Sequence, residues 1–298
     1  MDTLTSSWTT IHASLSFFAL AMTIISFWVK RSAWTWGGFL VFALVLGYFA
    51  GIITPIALAP IGALLVLHAL MQSEVRGLVR FVLFAATVAI SIGLLGHYFP
   101  GFHNIPIYQK IKISPDAVAS SLWLNFDKPF IGIFVLAWGL PLMKSVSDFE
   151  RLLKVALPFA IGGIAIMIYF SLFSDLIHWD PKFTPRFWIF AIINLIFVTV
   201  IEEAFFRGFF QNELLRWLGG KGYLANVGSV FLTALAFALL HFQWVANPYF
   251  LALVFIAGII YGSIYQFTKA IEASILCHWL LNITHFALFT YPVLRSAI

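Results

Sequence analysis

The chain is short of almost everything a water-soluble fold puts on its surface. Charged residues make up 10% of its 298 residues, against about 25% in a soluble domain. It has a single cysteine, Cys277, which excludes an internal disulfide and a cysteine-rich metal site. No internal repeat and no low-complexity tract is visible. The longest polar connection, from about Pro100 to Val118, is too short to fold alone. What fills the sequence instead is hydrocarbon: 62% of residues are hydrophobic, 33 are Phe and 11 are Trp, with a mean hydropathy of +0.98. With 17 basic and 12 acidic side chains in all, most of the surface must face lipid. The net charge of +5 therefore does not point to nucleic acid, because cations of a membrane protein collect in its cytoplasmic loops.

Runs of about 20 apolar residues, each able to cross a hydrocarbon core about 30 Å thick, recur along the chain. The sequence predicts an all-α, polytopic transmembrane helical bundle with segments at 8–29, 33–52, 54–71, 80–98, 119–142, 155–176, 187–206, 224–242, 249–268 and 271–290. The first segment is too long for a signal peptide and has no small-residue cleavage site, so it reads as a retained helix. Segments two and three are separated only by Thr54-Pro55, and segment five is interrupted by Asp127-Lys128-Pro129. The latter leaves a short apolar stretch with a re-entrant course as its alternative, and the count of crossings is eight to ten.

With ten crossings, eleven of the 17 Lys and Arg residues fall on one side, among them Lys30, Arg31, Lys144 and Arg207. That side is then cytoplasmic and both termini lie outside. Residues 1–118 form N-terminal transmembrane helices with no role legible in them. Residues 119–298 form the chemistry-bearing bundle, with its motifs within 187–290.

A charged side chain at mid-bilayer costs at least about 2.5 kcal/mol, so an ionisable group there is a functional hypothesis by default. The run from Asn194 to Arg207 places two adjacent carboxylates, Glu202 and Glu203, inside an apolar helix. Glu203 and Arg207 stand four apart and face each other, so they can form an ion pair. Glu202 projects about 100° away and must find its partner on another helix. A carboxyl so placed suits a general base working near neutral pH. The plainer reading is that both carboxylates only tie helices together.

Segment eight reads Phe237-Ala-Leu-Leu-His241 and segment ten reads Cys277-His278-Trp-Leu-Leu-Asn282. A lone His at a helix end is more often an interfacial residue than a catalyst. His278 and Asn282, four apart, share one helical face, and in lipid such a polar stripe must meet protein or a water-filled cavity. His285, one further turn along, reads as structural, and Cys277 as small-residue packing rather than a thiol nucleophile. Together these elements supply a carboxylate, two imidazoles and an amide donor. Peptide hydrolysis needs a base for water, donors for the oxyanion and an acid for the leaving amine.

Glu-Glu-x-x-x-Arg (202–207, followed by Gly208), Phe-x-x-x-His (237–241) and His-x-x-x-Asn (278–282), in this order on successive hydrophobic segments, resemble the CPBP family. It comprises CAAX prenyl endopeptidases, bacteriocin-processing and self-immunity proteins, and abortive-infection-like proteins. The resemblance covers about the last 110 residues. It implies an intramembrane peptidase of glutamic type in which Glu202 and His241 activate water, Glu203 and Arg207 form the supporting pair, and His278 and Asn282 stabilise the oxyanion. It further implies a peptide or protein substrate in the membrane, prenylated or not, and no bound metal. Zinc held by two His and one Glu is chemically feasible here and stands as the minority alternative. A multi-pass location in a bacterial inner membrane is the expected setting.

Two other classes compete. One is a proton-coupled transporter, since intramembrane Glu and His chains also relay protons. The other is a non-catalytic immunity or scaffold protein. One geometric demand remains. If segment seven ends near 206, Glu202 lies towards one membrane face and His241 towards the other. Their convergence requires the helix to run well past Arg207, or segment eight to start deeper than Lys221, with Gly219, Gly220 and Gly222 allowing the bend.

Overall fold

The computed structural model describes residues 2–242 and 247–297. Its helices are α1 (Asp2–Val29), α2 (Ala33–Phe49), α3 (Leu58–Met71), α4 (Gly77–Leu95), α5 (Phe130–Trp138), α6 (Val146–Phe173), α7 (Pro185–Ile193), α8 (Val200–Glu203), α9 (Asn212–Trp217), α10 (Tyr223–Leu240), α11 (Pro248–Thr268) and α12 (Ile271–Leu288). A two-stranded sheet of β1 (Ile105–Ile111) and β2 (Ser120–Leu124) breaks the pattern. An apolar chain in lipid satisfies its backbone groups within each helix, and the few polar residues mark where helices begin. Ser32, Ser145 and Asn247 each accept a backbone N–H of the first turn that follows, as N-cap residues do.

Among the described residues, seven helices are long and apolar enough to cross a membrane, with two shorter apolar helices at Ala33–Phe49 and Pro55–Met71. The protein is an all-α, multi-pass integral membrane protein. Two expectations need correction. Segment five, expected over 119–142, is not one helix: its first part is β2, and its apolar remainder is the nine-residue α5. At about 1.5 Å per residue α5 spans about 14 Å, half a hydrocarbon core. Asp127 and Pro129 explain why, since Pro129 serves as the N-cap of α5 and cannot continue a helix from the preceding side. The even count that placed both termini outside included this segment.

Segment seven, expected to end at 206, runs on. Residues Pro185–Trp217 form one continuous 33-residue helical run. Glu202 thus sits near its middle rather than near its end. Within it, the π-helical stretches Asn194–Thr199 and Ala204–Gln211 flank the single α turn α8. The run ends because Gly219, Gly220 and Gly222 all take positive φ, a conformation open to glycine and strained for other residues, and the chain reverses into α10.

The chain folds as two compact units that interleave along the sequence. The first comprises Met1–Pro106, Trp123–Leu140 and Ile196–Ala204. In it α1 packs along α2 and α3 along α4, and α5 is buried from Phe130 to Ala137 without a break. Phe17 of α1 meets Phe126 edge-on at 5.4 Å and Phe197 at 6.1 Å. Arg31, between α1 and α2, donates from Nε to Ala137 O (3.2 Å) and from Nη1 to Leu140 O (2.5 Å). It thereby covers carbonyls that the end of α5 leaves without helical partners. Arg31→Ala is expected to lower the stability of the detergent-solubilised protein by about 1 kcal/mol, below the usual range for a charged hydrogen bond because the side chain is partly exposed. An unchanged thermal midpoint would argue against that capping role.

The second unit comprises Ile107–Leu122, Pro141–Leu195 and Phe205–Ile298. Here α12 packs on α6, α11 and α7, and α10 packs on α11. Phe190 of α7 stacks on Phe286 of α12 at 4.3 Å, and Trp279 Nε1 donates to Ala191 O at 2.9 Å. The α6–α7 loop is pinned to the end of α12, with Asp180 N–H donating to Leu288 O and Lys182 N–H to Ala287 O.

Candidate active site

Within the second unit, one constellation gathers three of the residues singled out from sequence. Arg207, on the second π-helical stretch, is fully buried. Its guanidinium carbon lies 4.9 Å from the Phe237 ring centroid, 5.2 Å from Tyr261 and 5.8 Å from Phe206, within the reach of cation–π attraction. Its Nη2 donates to Gly258 O at 3.1 Å. One turn on, Gln211 Nε2 donates to Gly262 O at 3.2 Å. Two side chains four apart on one helix thus meet two carbonyls four apart on α11. Gly262 permits the second contact, since a Cβ there would stand 2.9 Å from Gln211 Oε1, and Gly258 permits a close approach of α11 to α10, since a Cβ there would stand 2.9 Å from Ala234 Cα. Close backbone approach at small residues spaced by four is the usual device for joining membrane helices.

The two imidazoles lie around the same rings. His278 is buried and stacks on Tyr261, centroids 4.5 Å apart and planes 16° apart. It meets Phe237 edge-on at 6.0 Å and 87°. His241, at the C-cap of α10, lies 4.4 Å from Phe237 by ring centroid. Its Nδ1 is 2.7 Å from Phe237 O. A carbonyl can only accept, so Nδ1 carries the proton, and in the neutral ring Nε2 is the basic nitrogen. Phe237 and Tyr261 therefore connect one guanidinium to both imidazoles.

Asn282 takes a different direction. Its Nδ2 donates to Asn194 Oδ1 at 3.2 Å, so one amide hydrogen ties α12 to the start of the first π-helical stretch, and an NH2 group carries a second. Glu202 and Glu203 belong to the first unit, on α8. Glu202 retains 9% of its surface and Glu203 none, so the two neighbours already differ in how open they are. His285 Nε2 donates to Thr290 O at 3.1 Å, in keeping with a structural part. Cys277 is buried. Among the described residues no three His, Cys, Asp or Glu side chains gather as a metal-binding group.

Sequence reasoning did not single out Tyr261, Gly258, Gln211 or Asn194. The Gly258-x-x-x-Gly262 spacing in an apolar segment was a legible sign of close helix contact. Nothing in the sequence separates Tyr261 from the other aromatic residues of α11.

A multi-pass helical membrane protein with buried carboxylates, imidazoles and a guanidinium belongs to the class in which ionisable groups are placed in lipid for use. Residues 184–284 match the family model described as type II CAAX prenyl endopeptidase Rce1-like. Over this segment, about a third of the chain, the protein is similar to the CAAX prenyl endopeptidases. No curated protein and no solved structure matches the chain.

Proposed function

We propose that the protein is a glutamic-type intramembrane endopeptidase that hydrolyses a peptide bond of a membrane-associated or lipid-modified protein. The observation that carries this reading is the setting of the carboxylate pair. Glu202 and Glu203 occupy a single α turn between two π-helical stretches, midway along a 33-residue apolar run and inside the Rce1-like match. Isolated π-helical turns within helices are frequent at functional sites, and mid-membrane carboxylates are costly unless used.

In the reaction, Glu202 takes a proton from water while His241 Nε2 accepts the water's other hydrogen, and the oxygen attacks the scissile carbonyl. His241 suits this because its Nδ1 is already committed to Phe237 O. His278 and the second amide hydrogen of Asn282 stabilise the oxyanion. Collapse of the tetrahedral intermediate breaks the C–N bond, and the proton held by Glu202 passes to the leaving amine.

The test uses the full chain in detergent or liposomes with a peptide ending in a prenylated Cys and three further residues, alongside its unprenylated twin. Release of the terminal tripeptide is expected, and its absence from both peptides would sink the reading. Exhaustive chelation is expected to leave the rate unchanged, because Glu202 and His241 supply the base without a Lewis acid. A rate lost on chelation and restored by zinc would replace the glutamic mechanism with a metallopeptidase one.

A further inference from the structure

The short helix α5 lies outside the Rce1-like match, yet it touches the carboxylate turn more closely than any packed side chain can. A Cβ added to Gly132 would stand 2.9 Å from both Cα and the carbonyl oxygen of Ile201, the residue before Glu202. These neighbours are backbone atoms, so no rotamer change relieves the contact. The two helices of the first unit meet main chain to main chain, and only glycine fits.

The turn so held is short. α8 is four residues long and is bounded on both sides by π-helical stretches, whose i→i+5 bonds interrupt the regular α ladder. A single α turn between two such stretches does not inherit its rotation or depth from a continuous α-helix, and it takes them from an external stop. α5 is built to be that stop. It is buried along eight consecutive residues, and its far end is held by Arg31 at Ala137 O and Leu140 O. Phe17 of α1, between Phe126 and Phe197, couples the approach to α5 with the approach to α8.

We propose that α5 is a positioning helix for Glu202, with Gly132 as the residue that sets how deep and how far round the carboxylate sits. This gives the N-terminal unit a part in the chemistry. It rests on the reading of Glu202 as the base, and the experiment separates the two.

Gly132→Ala is made in the full-length protein, with Gly162→Ala on α6 as control, since a Cβ there meets nothing within 4 Å. The first readout does not depend on catalysis: the rate at which a membrane-soluble carbodiimide labels Glu202, followed by mass spectrometry. The second is peptide cleavage. Gly132→Ala is expected to change the Glu202 labelling rate at least about threefold and to lower kcat about 10- to 100-fold at nearly constant KM, as a small misplacement of a catalytic group does. Gly162→Ala should change neither.

Unchanged labelling in a folded Gly132→Ala protein overturns the positioning role, whatever the activity. Altered labelling with unchanged kcat supports the positioning of Glu202 by Gly132 and overturns the reading of Glu202 as the base. If Gly132→Ala does not fold, Arg31→Met frees the far end of α5 without adding an atom to the contact. The same change in labelling and the same kcat loss at constant KM are then expected, and their absence counts against the proposal.

Discussion

Glu202→Gln is expected to remove about 10²–10⁴-fold of the cleavage rate while the protein stays folded. The amide matches the carboxylate in size and keeps an acceptor oxygen, but it cannot take a proton from water, and a positioned base contributes about that factor. Because Glu202 retains some exposure, exchanging it leaves no sealed polar group without its charge. Glu203→Gln should behave differently. Glu203 is fully buried and stands four residues before Arg207, so on the proposed pairing its loss leaves a buried cation short of its counterion. Breaking a buried pair costs about 3–5 kcal/mol. The expected result is poor recovery and a lowered thermal midpoint, with kcat per folded molecule largely kept. Both variants are scored by elution profile, thermal midpoint and single-turnover cleavage. A fast Glu202→Gln enzyme, or a slow Glu203→Gln enzyme of undiminished stability, would reverse the roles assigned to the two carboxylates.

How much of this was legible in the sequence depends on the length scale of the signal. Hydropathy read most helices correctly because an apolar run in lipid has one way to satisfy its backbone, as at α4, α10 and α11. It failed at segment five, where Trp123, Leu124 and the residues after Phe130 are equally apolar in a strand and in a helix. Only Asp127 and Pro129 mark the break. It also stopped segment seven at 206. Arg207, Gln211 and Asn212 look like the start of a loop, whereas they are clothed by α11: Arg207 and Gln211 by the carbonyls of Gly258 and Gly262, and Asn212 by the Tyr265 hydroxyl at 2.7 Å. Such clothing is tertiary and leaves no mark on local hydropathy. The i,i+4 logic that put His278 and Asn282 on one face was sound for a regular helix, yet the two contact different partners, Tyr261 and Asn194. The π-helical stretches around Glu202 follow from no residue pattern visible in the chain.

Arg207→Lys carries the second large effect, and it tests whether the guanidinium organises the imidazoles or merely neutralises a carboxylate. Lysine keeps the charge, so if neutralisation were all, the variant would be mild. A guanidinium is planar and weakly hydrated and spreads its charge over a flat face, whereas an ammonium is a compact, strongly hydrated point. Arg207 lies against three aromatic rings while it donates to Gly258 O. Each cation–π contact is worth about 0.5–2 kcal/mol, and a charged hydrogen bond about 1.5–3 kcal/mol. Losing part of both should destabilise the protein by about 3 kcal/mol. Phe237 and Tyr261, released from the cation, also hold His241 and His278, so kcat should fall more than occupancy of the folded state explains. A double-mutant cycle isolates the cause. In a Phe237→Leu background the exchange of Arg207 for Lys should cost less, by the roughly 0.5–3 kcal/mol typical of contacting residues. Additive losses would mean that Arg207 acts on its carboxylate alone, and that the aromatic rings align the two imidazoles without it.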